Sequence, residues 1–427
     1  MTGDGSRSFV LRARHVLPMA GPPLENGWIR VVAGRVAALG RGASPRGAVD
    51  LGDCIVLPGL VNAHTHLEFS DLAAPLAADG GLPAWIRRIV ALRRSREQLP
   101  DAEARREAAV TRGLRETAAA GVTAVGEIST GVGDGGYPAR GPRVRVFREA
   151  IGIAPGPAAA AFRRVIRDLD RLASRRSPAG LSPHAPYSVA APLGRRLIAE
   201  ARRRRLPVAM HVAEDAEERQ LLGDGTGPFR ELLEELGAWP PGGPPPLLGA
   251  AEWITRLARA SRGIVVHATH LEGEPGALAR LARHRDRLCV AVCPRTTRAL
   301  AGRLPPVAAL RAAGLRIAIG TDSRASNPDL SVRAECRTLV EAGLASPAEA
   351  VAMATVNGAW ALGFDRRCGR LAPGGSADLA VFRADAGRAE PHEAVLDPAA
   401  VHVATFRGGR LIAGAVPGAA APRDLLD

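Results

Sequence analysis

The sequence predicts an α/β chain, a (β/α)8 barrel joined to a small composite β-sandwich built from both termini. Three observations predict it. Eight short apolar runs alternate with longer amphipathic stretches through the middle of the chain, as parallel strands alternate with helices. Nearly every run ends, on its C-terminal side, in a polar or ionisable residue, and that face is where barrels carry catalytic groups. The two ends of the chain read instead as short strands and turns.

In chain order, "WIRVVAGRVAALG" belongs to the N-terminal part of the sandwich, expected over residues 1–56. The barrel is expected over 57–364. Its first run, "CIVLPGLVNAHTH", closes on His64 and His66. Residues i and i+2 share a strand face, so both imidazoles aim at one spot, and a metal ion can take both lone pairs. "VTAVGEIS" holds Glu127, "RVRVFRE" ends near Arg148, and "GLSPHAPYSV" carries His184. "PVAMHVAE" carries His211 and Glu214, "GIVVHATHL" His267 and His270, "LCVAVCPRT" Arg295, and "RIAIGTDS" Asp322. Stretches such as "PAWIRRIVALRRSREQL" and "ALARLARHRDRL" supply helices between them. The proline-rich "WPPGGPPPLLG" reads as a loop between the fifth and sixth strands, near the site. "GRLAPGGSADLAVFRA" and "VHVATFRGGRLIAG" complete the sandwich over 365–427.

Composition narrows the class. With 46% hydrophobic residues in 427, the chain is globular, and no apolar run approaches the roughly eighteen residues of a membrane span. Charges spaced through the first twenty residues leave no signal-peptide core, so a cytoplasmic enzyme is expected. Five scattered cysteines do not make a disulfide framework; Cys289 and Cys293 have the wrong spacing for a zinc knuckle and read as small buried hydrophobes. All 57 basic residues are arginine, so the +14 charge reflects a genome-wide bias more than an anionic partner. The densest cluster, "EARRRRLP", fits the last turn of a helix, where cations complement the helix dipole. The expected partner is a small-molecule substrate, with a homodimer as an option, and neither nucleic acid nor membrane.

The chemistry comes from the strand ends. In a closed barrel the eighth strand neighbours the first, bringing Asp322 to His64 and His66, with His211 from the fifth. Three imidazoles and one carboxylate suit a single divalent ion with an open position for water. Glu214 is then the natural proton shuttle, and His267 either holds the ion or polarises the activated water. His270, off that strand face, has a supporting role. His184 either faces substrate or is a loop histidine between prolines, and Glu68 either reads substrate or fixes the strand-to-loop turn. With no lysine in the chain, the carboxylated-lysine bridge of many binuclear hydrolases is impossible, which favours one metal. "HLE" mimics the H-x-E of cytidine-type deaminases, but no P-C-x-x-C follows.

The set "LPGLVNAHTHLEFS", "SPHAPYSV", "HVAEDAEE", "VVHATHL", "GTDSRASNPDLS" and "LAPGGSADLAVF" resembles the amidohydrolase superfamily, in its cytosine-deaminase-like and chlorohydrolase-like branch. The resemblance implies one Zn²⁺ (alternatively Fe²⁺) on His64, His66, His211 and Asp322, with Glu214 and His267 as acid/base residues. "HTHLEFS" and "GTDSRASNPDLS" further resemble aminodeoxyfutalosine deaminases of the futalosine menaquinone route; related members deaminate adenosine-type compounds. The implied reaction is hydrolytic deamination of an adenine-bearing nucleoside-like molecule. The alternatives are hydrolysis of another C–N or C–Cl bond (cyclic amide, guanine or halotriazine) or a non-catalytic relative. One departure stands out. "CPRTTRAL" on the seventh strand replaces the Asn- or His-containing element of relatives, which puts substrate contacts from that strand in question.

Overall fold

The computed structural model describes residues 8–131, 137–138, 140–175, 177–385 and 390–416. The reading of the extreme N-terminus as free of a leader falls partly on residues 1–7, outside the described residues, as do the last eleven residues assigned to the sandwich.

Eight parallel strands form one sheet: Leu60–Thr65, Val122–Ser129, Arg143–Ala150, Ala179–Pro183, Val208–Val212, Gly263–His267, Leu288–Val292 and Arg316–Ile319. Each pairs with the next, and the seam closes between last and first. The Thr321 and Asp322 amides donate to the His64 carbonyl at 3.0 and 3.1 Å, and the His66 amide donates to the Asp322 carbonyl at 3.0 Å. These strands are the eight predicted runs. They read as continuous apolar stretches because both faces are covered. One apolar cluster gathers small residues, Ala63, Ala124, Ala209, Ala291 and Ala318, around Phe147. Val125, Val146, Val265 and Ile317 belong instead to the cluster shared with helix faces such as Val165, Leu169 and Leu172 of Pro155–Ser174.

The run 54–66 is two strands rather than one. Cys54–Pro58 lies in a second, terminal sheet, and the barrel begins at Leu60. The chain changes sheets at Gly59, where a Cβ would sit 2.1 Å from the Thr123 side chain, so only glycine lets the backbone pass. Cys54–Pro58 pairs in parallel with Phe9–Val16 and antiparallel with Leu379–Arg383, which draws both termini into one sheet. That sheet has its own core, including Val16, Ile29, Val56 and Val381.

Helix Gly81–Glu97 lies where expected, and the arginine cluster ends helix Ala191–Arg204. "ALARLARHRDRL" is helical only over Ala277–Arg283, because its last residues turn back into the strand Leu288–Val292. "CPRTTRAL" becomes the helix Pro294–Ala301, with proline in its first turn. Among the described residues no helix is long and apolar enough to cross a membrane.

Candidate active site

The strand ends converge. His64 is the last residue but one of the first barrel strand and His66 lies just beyond its end; their Nε2 atoms stand 3.5 and 3.6 Å from Oδ1 of Asp322. The His64 ring centroid is 5.0 Å from those of His66 and His211 and 5.6 Å from that of His267. One ligating atom each from His64, His211 and His267 lies within 4.8 Å of the others, and the same holds for His64, His66 and Asp322. All five side chains are buried.

The backbone is bent to make this happen. His267 and Asp322 have φ of 67° and 55°, in the left-handed region that non-glycine residues avoid at a cost of about 1–3 kcal/mol each. Seam hydrogen bonds hold the second of these. Asn62 supports the same turn: its Nδ2 donates to Thr321 Oγ1 at 2.7 Å and its Oδ1 accepts from the Thr321 amide at 3.2 Å. His211 Nδ1 lies 2.7 Å from the His184 carbonyl, a donor geometry that turns the Nε2 lone pair toward the cluster. Ser326 donates to Oδ2 of Asp322 at 2.6 Å, and Thr296 lies 3.0 Å from the Ser326 hydroxyl. Ser326→Ala is therefore expected to weaken metal affinity by roughly 10–100-fold while leaving the fold intact, as read by competition with a chelator dye.

Electrostatics match the geometry. Burial holds the imidazoles of His66, His211 and His267 well below the usual histidine range, hence neutral. Burial works to raise the Asp322 carboxyl, but the imidazoles of His64, His66 and His267 beside it pull it below its ordinary value. Neutral imidazoles and an ionised carboxylate are the forms that bind a cation. Both nitrogens of His64, and Nδ1 of His66 and His267, have no hydrogen-bond partner in the protein. Unpaired buried groups of this kind are costly. A divalent ion fits the cluster and would relieve part of that cost.

Glu214 sits beside it, with Oε1 3.4 Å from His267 Nε2. Burial, reinforced by Asp322, Glu218 and Asp215, pushes its carboxyl well above the ordinary range. Glu218 fixes the segment by accepting from the amides of Ala213 and Glu214, both at 3.2 Å.

The cluster floors a cavity that encloses, with its open mouth, about 990 Å³. Helix Gly81–Glu97 supplies apolar wall from Leu82, Trp85, Ile86 and Ile89, and Leu232 and Leu233 face them. His184 lines the cavity, with Nδ1 2.7 Å from Ser188 Oγ; burial, Arg93 and His64 depress its pKa to about 3. Glu68 does not line it. Its carboxylate turns to Arg93 at 2.7 Å and borders a neighbouring cavity with Asp71 and Arg96. Glu127 accepts from the Leu67 amide at 2.9 Å, Arg148 is spent on Ser129, Thr130 and Asp168, and Arg295 pairs with Asp329 at 2.7 Å. His270 does not line the cavity. The proline-rich loop stays outside it as well, only the preceding Ala238 reaching the wall. From "CPRTTRAL" no residue lines it; Thr296 acts behind Ser326. Sequence reasoning passed over Glu149, which lines the cavity where Arg148 had been singled out. The signal was available: Glu149 is two residues past Phe147 and shares its face of the strand, whereas Arg148 takes the opposite face.

The family model described as the amidohydrolase family matches residues 55–412, and the chain belongs to that family. The 5-methylthioadenosine/S-adenosylhomocysteine deaminase of Halobacterium salinarum is 32% identical over 376 residues, covering 84% of this chain and 80% of that protein. Its namesake from Moorella thermoacetica is 28% identical over 383 residues, covering 85% and 83%. Among solved structures, the Helicobacter pylori aminofutalosine deaminase in complex with methylthio-coformycin shares the fold at a TM-score of 0.80 and 23% identity, covering 95% of this chain and 100% of that one. An Arthrobacter aurescens triazine hydrolase does so at 0.75 and 19%, covering 96% and 95%.

Proposed function

We propose that this protein is a hydrolytic deaminase of an adenine-bearing, nucleoside-like small molecule, working with one divalent metal ion, Zn²⁺ or Fe²⁺. The observation that carries the proposal is the buried cluster of His64, His66, His211 and Asp322 with Glu214 3.4 Å from His267, under an apolar-walled cavity. Similarity to 5-methylthioadenosine/S-adenosylhomocysteine deaminases over most of the chain supports the substrate class.

On this reading His64, His66, His211 and Asp322 hold the ion, and His267 stands beside it. The ion, when bound, lowers the pKa of a water so that a nucleophile exists near neutral pH. Glu214, kept protonated by burial, donates to a ring nitrogen of the purine and makes the amine-bearing carbon electrophilic. His267 and Asp322 orient the attacking water and accept its proton. The amino group takes that proton from His267 and Asp322 and leaves as ammonia, while the new hydroxyl gives its proton back to Glu214 and becomes the ring carbonyl. His184 contacts the bound ring, the apolar walls exclude bulk water, and Glu68 acts on the substrate indirectly by fixing Arg93. Five free, buried cysteines suit a reducing, cytoplasmic setting.

A second reading, hydrolysis of another C–N or C–Cl bond, is favoured by the likeness of fold to triazine hydrolase. Ammonia release by metal-replete protein separates the two. The panel is 5′-methylthioadenosine, S-adenosylhomocysteine, adenosine, aminodeoxyfutalosine, guanine, cytosine and a halotriazine, with a chelated control. Metal-dependent ammonia from an adenine compound is expected. Silence on every adenine compound, with turnover of the halotriazine, would overturn the deaminase.

A further inference from the structure

The third barrel strand, Arg143–Ala150, brings a second carboxylate to the cavity that the proposed chemistry does not use. Glu149 is 2% exposed, and neither of its carboxylate oxygens has a hydrogen-bond partner. Its neighbours are committed elsewhere. Arg148 donates to Ser129, Thr130 and Asp168, Arg93 donates to Glu68, and Ser182, in register with Glu149 on the next strand, makes no bond to it. Arg93 lines the same cavity with its Nε also unpartnered. Burial raises the Glu149 carboxyl while the Arg93 charge opposes that rise. A buried carboxylate without donors is among the costliest arrangements a fold can hold, and donors that relieve it have to enter through the cavity it lines.

We propose that Glu149, with Arg93 beside it, is the specificity-determining residue that receives the vicinal hydroxyls of the substrate's ribose. The inference rests on the adenine-nucleoside reading above. The two oxygens of one carboxylate accept from two adjacent hydroxyls, and Arg93 Nε offers a donor to an oxygen of the same sugar. The reacting amine lies at the metal cluster, so the sugar is the part of such a substrate that presents two donors side by side. A site built around a buried hydrogen-bonding group rejects analogues that lack the matching hydroxyl, because the group is then left unpaired.

The test is a cycle of protein against substrate. Wild type and Glu149→Gln, metal-loaded, are assayed on adenosine, 2′-deoxyadenosine, 3′-deoxyadenosine and 2′,3′-dideoxyadenosine, with metal content and thermal unfolding measured for both. Wild type is expected to lose roughly a hundredfold in kcat/KM from adenosine to the dideoxy compound. Glu149→Gln is expected to lose a similar factor on adenosine, mostly in KM, to keep its metal, and to discriminate the two compounds by less than about threefold. Deamination of adenosine with the same discrimination retained in Glu149→Gln would overturn the role of Glu149 and leave the deaminase standing. Wild type that treats adenosine and the dideoxy compound alike would overturn it without any variant. No binding or turnover of any adenine nucleoside by wild type would overturn both readings.

Discussion

Asp322→Ala is expected to remove metal and activity together. One Asp322 oxygen stands 3.5 and 3.6 Å from the Nε2 atoms of His64 and His66, and the other is fixed by Ser326, so no neighbouring group can replace it. Three imidazoles would remain, without the one charged ligand. Bound metal should fall from about one equivalent to near none, and kcat/KM by roughly a thousandfold or more, since Lewis-acid stabilisation amounts to several kcal/mol. Alanine also dislikes the φ of 55° at this position, so Asp322→Asn, which tolerates that region better, is the companion variant. Elemental analysis beside the ammonia assay reads both. Full activity in a metal-free Asp322→Ala protein would sink the assignment.

Glu214→Gln is expected to separate chemistry from metal binding. Glutamine keeps the shape beside His267 and the backbone clamp from Glu218, which acts through main-chain amides. It removes the transferable proton. Metal content should stay unchanged while kcat drops by about 10²–10⁴-fold, the usual worth of a positioned acid/base. A kcat within about threefold of wild type would transfer that role to another group.

Much of this was legible in the chain, for physical reasons. Eight strands buried on both faces must read as apolar runs, and barrel chemistry sits at their C-terminal ends. The pairing of Asp322 with His64 and His66 followed from closure alone, since the last strand has only the first left to pair with. What stayed hidden depended on where side chains turn after a strand ends. Glu68 sits in the short turn Leu67–Phe69, which swings it to Arg93 of the helix Gly81–Glu97, and no strand periodicity governs that direction. The sheet change at Gly59 was invisible because both strands are apolar and only a contact with Thr123 marks the break. "CPRTTRAL" promised altered substrate contacts, yet its Thr296 reaches the site only through Ser326, a hydrogen bond across thirty residues that spacing does not encode. Adjacent polar residues compete for one reading: in "FREA" Arg148 faces away from the cavity toward Asp168, and Glu149 beside it faces in.

The most direct measurement is a metal titration of chelated, metal-free protein, following ammonia release from 5′-methylthioadenosine or whichever adenine compound of the panel turns over fastest. With one site built from His64, His66, His211 and Asp322, activity should start near zero, rise linearly with added Zn²⁺ or Fe²⁺, and level off at about one equivalent per chain. Activity that survives chelation, or a plateau that needs two equivalents, would contradict a single-metal deaminase.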